Sequence, residues 1–441
     1  MSEPGRRYRL GAHTRRLDGG RLLVGGRPPR SVRLTAAGAE AVAAALAGRA
    51  ANAPSLLARL VSYGLLDPVA APGAAEVTFV VPVRDGGAGL GALVGGLAPY
   101  GPVIVVDDGS TDGSPDLARE AGATVVANDG PRGPGGARNV GRRLATTEFV
   151  AFIDADCVAE GDWARPLAAL LEAEPRLALA APRIRGTDGP GRLSRWERTC
   201  SPLDMGAAGG PVGPGRAIPY VPSAALVARR AALEQLGGFD ASLRFGEDVD
   251  LAWRAVAAGW EVRYSPELAV RHPPRATLRA RARQHFGYGS SAAALDRRHP
   301  GAVVPLRPNR MLLPSALLAA GLPGAALLAS GAIAAMAVRR QDRPLRRAVA
   351  ALAVEGQLEA GRQLGRAVAR EWLPLAALAI ARGGRARRFA LTALAIDLAA
   401  ATAAEPSPVN AALRLLDDAA YSAGVWRGAI AHRSVGPLLP S

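Results

Sequence analysis

Over the first seventy residues, short alternating segments give way to helical spacing. Tyr8–Leu17 and Arg21–Val24 read as two strands around the turn Asp18-Gly19-Gly20. Thr35 stands as an N-cap before a helix over Ala36–Leu46, and Pro54–Tyr63, with its LLARLV spacing, reads as a second helix. Gly64–Pro68 closes this unit, and Ala70–Ala75 reads as a linker.

From residue 76 to about 300 the pattern changes to short β-branched runs separated by helical segments. Val77–Val81, Val103–Val106, Thr124–Ala127 and Phe149–Ile153 are the predicted strands. Strands alternating with helices predict an α/β domain with a mostly parallel sheet. Ligands of such sheets lie beyond the carboxyl ends of the strands. The residues directly after these runs therefore hold the candidate chemistry.

From about 301 to 441 the chain turns apolar and arginine-rich. Leu312–Val338 carries no charge over 27 positions. As one helix it would reach about 40 Å, against about 30 Å for a bilayer core, although Pro314 and Pro323 interrupt it. Two shorter apolar runs, Trp372–Ala381 and Phe389–Ala404, flank Arg382, Arg385, Arg387 and Arg388. Apolar runs interleaved with arginines predict an α-helical region on the cytoplasmic side of the cell membrane. A buried alanine-rich bundle is the alternative.

Composition narrows the function classes. At about 150 residues per domain, 441 residues suggest two or three domains, and 49% hydrophobic residues exclude wholesale disorder. Two cysteines exclude a disulfide-rich scaffold and any four-thiolate metal site. The N-terminal segment shows no apolar core of a secretion signal, so the start is expected to stay in the cytoplasm. The net charge of +16 comes entirely from arginine. Without lysine there is no Walker-type phosphate loop and no Schiff-base chemistry. Such charge suits nucleic acid, an anionic membrane or a phosphorylated substrate. With only 5% aromatic residues the chain is poorly equipped to stack bases, which argues against nucleic acid.

Five motifs follow the strands. The first strand runs through Pro82 into Asp85, and the second into Asp107-Asp108-Gly109-Ser110. A carboxylate at a strand end can accept from a base or ribose, though such a sequence is also an ordinary turn. Gly130–Gly141 is glycine-rich and carries Arg138 at a helix start, where an anion is favoured. Asp154-Ala155-Asp156 places two carboxylates on one side of an extended segment, able to hold a hard divalent cation and, through it, a diphosphate. Cys157 reads as packing. Glu247-Asp248 opens a helix, where Asp248 serves as general base or merely complements the helix dipole. His272 is a nitrogen ligand to the same cation or a satisfied core residue. Arg283 contacts phosphate or solvates a helix face before a turn at Phe286–Gly289.

Taken in order, VPVRDG, VVDDGSTD, GPGGARNVG, FIDADC, GGFD and GEDVDLAWR resemble the family-2 glycosyltransferases over about residues 76–300. The resemblance implies a GT-A nucleotide-sugar fold and an inverting, metal-dependent transfer. It implies that Pro82, Asp85 and Asp108 contact the nucleotide, with Asp154 against nucleotide or ribose. It implies Asp156 and His272 as ligands to Mg2+ or Mn2+, Asp248 as base, and Glu247 shaping the acceptor site. Arg138 and Arg283 are then candidates to face the donor diphosphate. The complete chain resembles the branch of this family that serves mycofactocin biosynthesis, on stretches such as RRLDGGRLLVGGRPPRSVRL and HFGYGSSAAALDRRHPG. That resemblance implies glucose from a UDP-sugar donor, β-linked to a peptide-derived redox cofactor precursor. It also implies that residues 1–70 form a small PqqD-like winged-helix peptide-recognition domain. A lipid-phosphate or cell-envelope polysaccharide acceptor is the alternative.

Overall fold

The computed structural model describes residues 7–11, 14–26, 30–70, 75–128, 130, 132–187, 189, 191–275, 277–339, 343–403 and 405–440. The chain divides into two compact units, Met1–Pro274 and Arg275–Ser441.

The first unit begins with strands β1 (Tyr8–Leu10), β2 (Arg15–Leu17), β3 (Leu22–Gly25) and β4 (Arg30–Arg33), helices α1 (Ala36–Leu46) and α2 (Pro54–Ser62), and strand β5 (Leu66–Pro68). β2, β3 and β4 form one antiparallel sheet, while β1 pairs with β5. The expected strand Tyr8–Leu17 is thus two strands in two sheets. Likewise Leu66–Pro68 continues as a strand where a closing turn was expected. Thr35 does cap α1, its Oγ1 accepting from Gly38 N at 3.1 Å. Leu23, Val42, Leu57, Leu60, Leu65 and Leu66 fill a small core between these pieces. The middle of the expected linker, residues 71–74, lies outside the described residues.

The α/β layer follows with β6 (Val77–Val83), α3 (Gly89–Leu97), β7 (Val103–Asp107), α4 (Ser114–Glu120), β8 (Thr124–Ala127), α5 (Gly133–Leu144), β9 (Phe149–Ile153) and β10 (Val158–Ala159). Next come α6 (Ala164–Ala173), β11 (Leu177–Gly186), α7 (Gly191–Cys200), β12 (Gly210–Pro211), β13 (Ala225–Arg229), α8 (Arg230–Gln235), α9 (Glu247–Ala257) and β14 (Glu261–His272). The sheet order is β10-β14-β11-β13-β9-β6-β7-β8, with β12 on β14.

All four predicted strands are present, and β8, β7, β6 and β9 run parallel. β13 runs antiparallel to both β9 and β11, so the sheet is mixed rather than mostly parallel. The other half was hard to read because β11 and β13 are built from alanine and arginine, which are not strand-favouring residues. Phe79, Val81, Ile153, Leu167 and Leu171 are among the buried side chains that weld the sheet to its helices. Each such burial contributes about 1.5–3 kcal/mol.

One buried ion cluster joins the small N-terminal fold to the sheet. Asp67 on β5 accepts from Arg9 at 2.6 Å and from Arg263 of β14 at 2.8 Å. Arg9 also meets Glu267 of β14 at 2.9 Å. Asp67 and Arg263 are almost fully buried, so losing either would strand a charge in the interior.

The second unit is helical: α10 (Leu278–Arg298), α11 (Leu313–Ala319), α12 (Pro323–Val338), α13 (Arg343–Ala369), α14 (Leu373–Arg382), α15 (Gly384–Thr402) and α16 (Pro408–His432). The division at 274 differs from the expected one near 300, because α10 packs along α16. The expected turn at Phe286–Gly289 is interior to α10. A Cβ on Gly289 would fall 2.1 Å from the Tyr421 carbonyl oxygen, far closer than real Cβ contacts come. Gly424 stands in the same relation to Phe286, so these glycines permit a close helix crossing. The uncharged run from Leu312 is broken at Gly321 into α11 and α12. At 16 residues α12 spans about 24 Å, short of a bilayer core. Among the described residues no helix is long and apolar enough to cross a membrane. Asp397, an outlier in an apolar run, is buried and paired with Arg414 through both oxygens at 2.9 and 3.0 Å.

Candidate active site

The loops after β6 and β7 are laced together. Asp85 adopts the left-handed backbone region, with φ 54°. Its Oδ1 accepts from Thr111 N at 2.8 Å and from the Thr111 hydroxyl at 3.1 Å, while its own N–H donates to Ser110 Oγ at 2.9 Å. The residue remains exposed, so it orders the rim and still presents a carboxylate there. Pro82, expected at the donor, is buried within β6. The β6–β9 ladder ends at Val80, so the missing N–H of Pro82 falls past the last partner on that side. Its side chain belongs to the sheet interior.

Asp108 is buried and accepts from Asn128 Nδ2 at 2.6 Å, Arg132 N at 2.9 Å and Gly133 N at 3.0 Å. Three donors on one carboxylate pin the glycine-rich segment where α5 begins. In this structure the part Asp108 plays is to hold that loop.

Arg138 departs from expectation. It was a candidate to face a diphosphate, yet it is buried and both ends of its guanidinium are taken. Nη2 lies 2.5 Å from Asp154 and Nη1 2.9 Å from Glu247. Burial works against its charge, but Asp154 and Glu247 outweigh that and raise its pKa. The guanidinium also lies 5.5 Å from the centre of the Phe239 ring. Arg138 therefore ties a strand-end carboxylate to the acidic pair on α9.

A second tie is made by backbone. Asp154 N donates to the Ala224 carbonyl at 3.1 Å, and the preceding N–H, of Ser223, donates to Asp248 Oδ2 at 3.2 Å. Adjacent residues thus hold Asp154 by its backbone and Asp248 by its side chain. Gly246, at φ 83°, turns the chain into α9 so that Glu247 and Asp248 open the helix. Asp248 Oδ1 accepts from Val249 N at 2.8 Å. Burial pushes the Asp248 carboxyl up, opposed by its two N–H partners. Burial and the neighbouring Asp248 push Glu247 up to about 7, although Arg138 pulls the other way.

Asp156 meets His272 through strand register. β10 pairs antiparallel with β14, Val158 facing Arg271, which brings Asp156 beside the end of β14. Asp156 Oδ1 lies 3.3 Å from His272 Nε2. His272 is buried and the Asp156 side chain is 43% exposed, so the pair opens outward. One hard oxygen and one imidazole nitrogen at this spacing suit Mg2+ or, better, Mn2+. Among the described residues no group of three or more His, Cys, Asp or Glu gathers that could hold a metal ion. Cys157 is buried, its thiol pushed up by burial and then by Asp154 and Asp156, which keeps it protonated and inert. Arg283 lies exposed on α10, in the second unit, whereas every other residue of this site belongs to the first.

Several supporting residues were not foreseen. Asn139 donates to the Phe239 carbonyl at 2.7 Å and accepts from Phe239 N at 2.9 Å, locking α5 to the Gly237–Asp240 turn. Arg254 holds the same turn through the carbonyls of Leu236 at 2.6 Å and Gly238 at 2.8 Å, and pairs with Asp250 at 2.7 Å. Only the i,i+4 spacing of Asp250 and Arg254 carried a sequence signal.

The profile of glycosyl transferase family 2 matches residues 102–237. Pre-mycofactocin glycosyltransferase of Mycobacterium tuberculosis is 37% identical over 452 aligned positions, covering 96% of this chain and 95% of that protein. The uncharacterized glycosyltransferase Rv0539 of the same organism is 33% identical over 201 positions, covering 45% of this chain and 86% of its own length. The solved mannosyltransferase PcManGT of Pyrobaculum calidifontis, in complex with GDP-Man and Mn2+, aligns at a TM-score of 0.39 and 20% identity over 74% of this chain and 89% of that one.

Proposed function

This chain belongs to the family-2 glycosyltransferases, together with its full-length relative pre-mycofactocin glycosyltransferase, and on that footing we propose that it transfers glucose from UDP-glucose to pre-mycofactocin, a peptide-derived redox cofactor precursor, with inversion to a β-linkage. The observation that carries this reading is the convergence of two acidic segments on Ser223 and Ala224. One is the strand-end Asp154, which leads to the Asp156–His272 pair; the other is the Glu247–Asp248 pair.

Inversion in one displacement needs a base for the acceptor hydroxyl and relief of charge on the leaving diphosphate. Asp248 takes the hydroxyl proton at a carboxylate oxygen. Two backbone N–H groups fix that carboxylate, and burial makes it more basic than an ordinary one. Glu247, anchored by Arg138, lines the acceptor side. Asp156 and His272 would hold Mg2+ or Mn2+, which supplies positive charge to the diphosphate. Asp85 and the loop held by Asp108 border the nucleotide. The N-terminal fold, as a PqqD-like domain, holds the peptide part of the acceptor.

Incubation with a panel of nucleotide sugars, and with the peptide-derived acceptor and a lipid-phosphate acceptor side by side, tests this by product mass. A hexose added to the peptide-derived acceptor from UDP-glucose is expected. Transfer only to the lipid phosphate, or only from another donor, overturns the respective part.

A further inference from the structure

The second unit carries an exposed surface that sugar transfer does not use. At the corner between α14 and α15 stand Arg382, Arg385, Arg387 and Arg388, all exposed. None of the four has a carboxylate partner among the described residues. Arg385, Arg387 and Arg388 lie in the first turns of α15, at the positive end of its dipole, where cations are disfavoured. A self-repelling cluster placed at that end is stabilised only by an outside anion.

Leucines share these faces. On α14, Leu375 and Leu378 stand two turns and one turn before Arg382 and are 53% and 51% exposed. On α15, Leu391 follows Arg387 and Arg388 at helical spacing and is 45% exposed. Leu312 packs into the same cluster as Ile380 and Phe389, which brings the start of α11 to this corner. From there the uncharged α11 and α12 lead to Leu327 and Leu328, 75% and 76% exposed. One turn on from Leu327, Ser330 holds α12 to Gln357 of α13 at 2.6 Å, yet both leucines stay in solvent.

We propose that this face of the helical unit docks on an anionic lipid bilayer, the arginines at the phosphate headgroups and the leucines of α12 and α14 at the acyl boundary, without spanning the membrane. Charge complementarity selects this occupant. A second copy would present the same unpaired arginines, whereas an anionic surface neutralises them and accepts the leucines beside them.

The full chain is sedimented with vesicles of phosphatidylcholine alone and of phosphatidylcholine with phosphatidylglycerol. Binding to the anionic vesicles only, weakening as salt rises, is expected. The triple variant Arg385→Ser, Arg387→Ser, Arg388→Ser should lose about a hundredfold in partitioning. The variant Leu327→Ser, Leu328→Ser should also bind more weakly. All these side chains are exposed, so both variants should keep the parent's thermal unfolding and its transfer to a soluble acceptor. Equal binding to both vesicle types, or unchanged binding of the triple variant, overturns the proposal. So does a concentration-dependent dimer that the leucine variant abolishes, without vesicle binding, which would make the face a contact between copies.

Discussion

Asp156 Oδ1 lies 3.3 Å from His272 Nε2, although 116 residues separate them along the chain. The antiparallel register of β10 on β14 makes the meeting, and the two side chains are the proposed protein share of a cation site. Asp156→Ala and His272→Ala should each weaken Mn2+-dependent UDP binding by about tenfold or more, roughly 1.4 kcal/mol. Calorimetric titration with UDP, with and without Mn2+, measures this. Metal-independent UDP affinity equal to that of the parent in Mn2+ would remove the pair from donor binding.

Asp248→Asn keeps the shape of the carboxylate and removes its basicity. Donor binding should persist while kcat falls by about 10²–10⁴. Single-turnover transfer beside a UDP titration separates the two effects. Near-parental kcat would assign the base elsewhere.

The pH dependence has a definite sign. With Asp248 as the proposed base, transfer requires its ionised form, and burial holds the Asp248 and Glu247 carboxyls above their ordinary range, Glu247 at about 7. Activity should therefore rise with pH and be lost on acidification earlier than an ordinary carboxylate would dictate. Glu247→Gln takes away a like charge beside Asp248, so the acid limb of kcat/KM should move to lower pH. A limb that stays in place would show that Glu247 does not act on the base.

Arg138→Met leaves Asp154 and Glu247 facing each other without their cation. Breaking such a buried pair costs about 3–5 kcal/mol, to be read from urea unfolding. Arg138→Lys restores the charge without the fork and should recover part of the loss. Equal stability of Arg138→Met and the parent would mean that the bridge contributes nothing.

Asp67→Ala strands Arg263 beneath the N-terminal fold. Limited proteolysis should then cut between residues 68 and 77 faster than in the parent, and KM for the peptide-derived acceptor should rise while UDP affinity holds. Unchanged cleavage would show that the cluster does not hold the two pieces together.

The motifs were legible because their chemistry is local. Asp154 and Asp156 announce themselves at the end of an apolar run, and Glu247-Asp248 at a helix start. Arg138 was misjudged because a helix start next to glycines suggests an anion, while its real partners lie 16 and 109 residues away. Ser223 through its own backbone N–H, and Asn139 on the backbone of Phe239, reach partners that only the fold brings near. The glycines of α10 looked like a turn because the helix that crosses them lies more than a hundred residues downstream. In the sheet, alanine-rich β11 and β13 hid half of the topology.

Strand β14 carries Arg263 and Glu267 against the N-terminal fold and ends in His272. Beside β11, Arg263 faces Ala180 and His272 faces Gly186, six strand steps or about 20 Å, the extra residues of β14 bulging between Ser265 and Ala269. This one strand therefore sets a gauge between the place where the N-terminal fold is clamped and the proposed donor end at His272. If the N-terminal fold holds the acceptor as proposed, that acceptor must match the gauge in length, so shortening its peptide by a few residues should uncouple capture from transfer without altering any group that reacts.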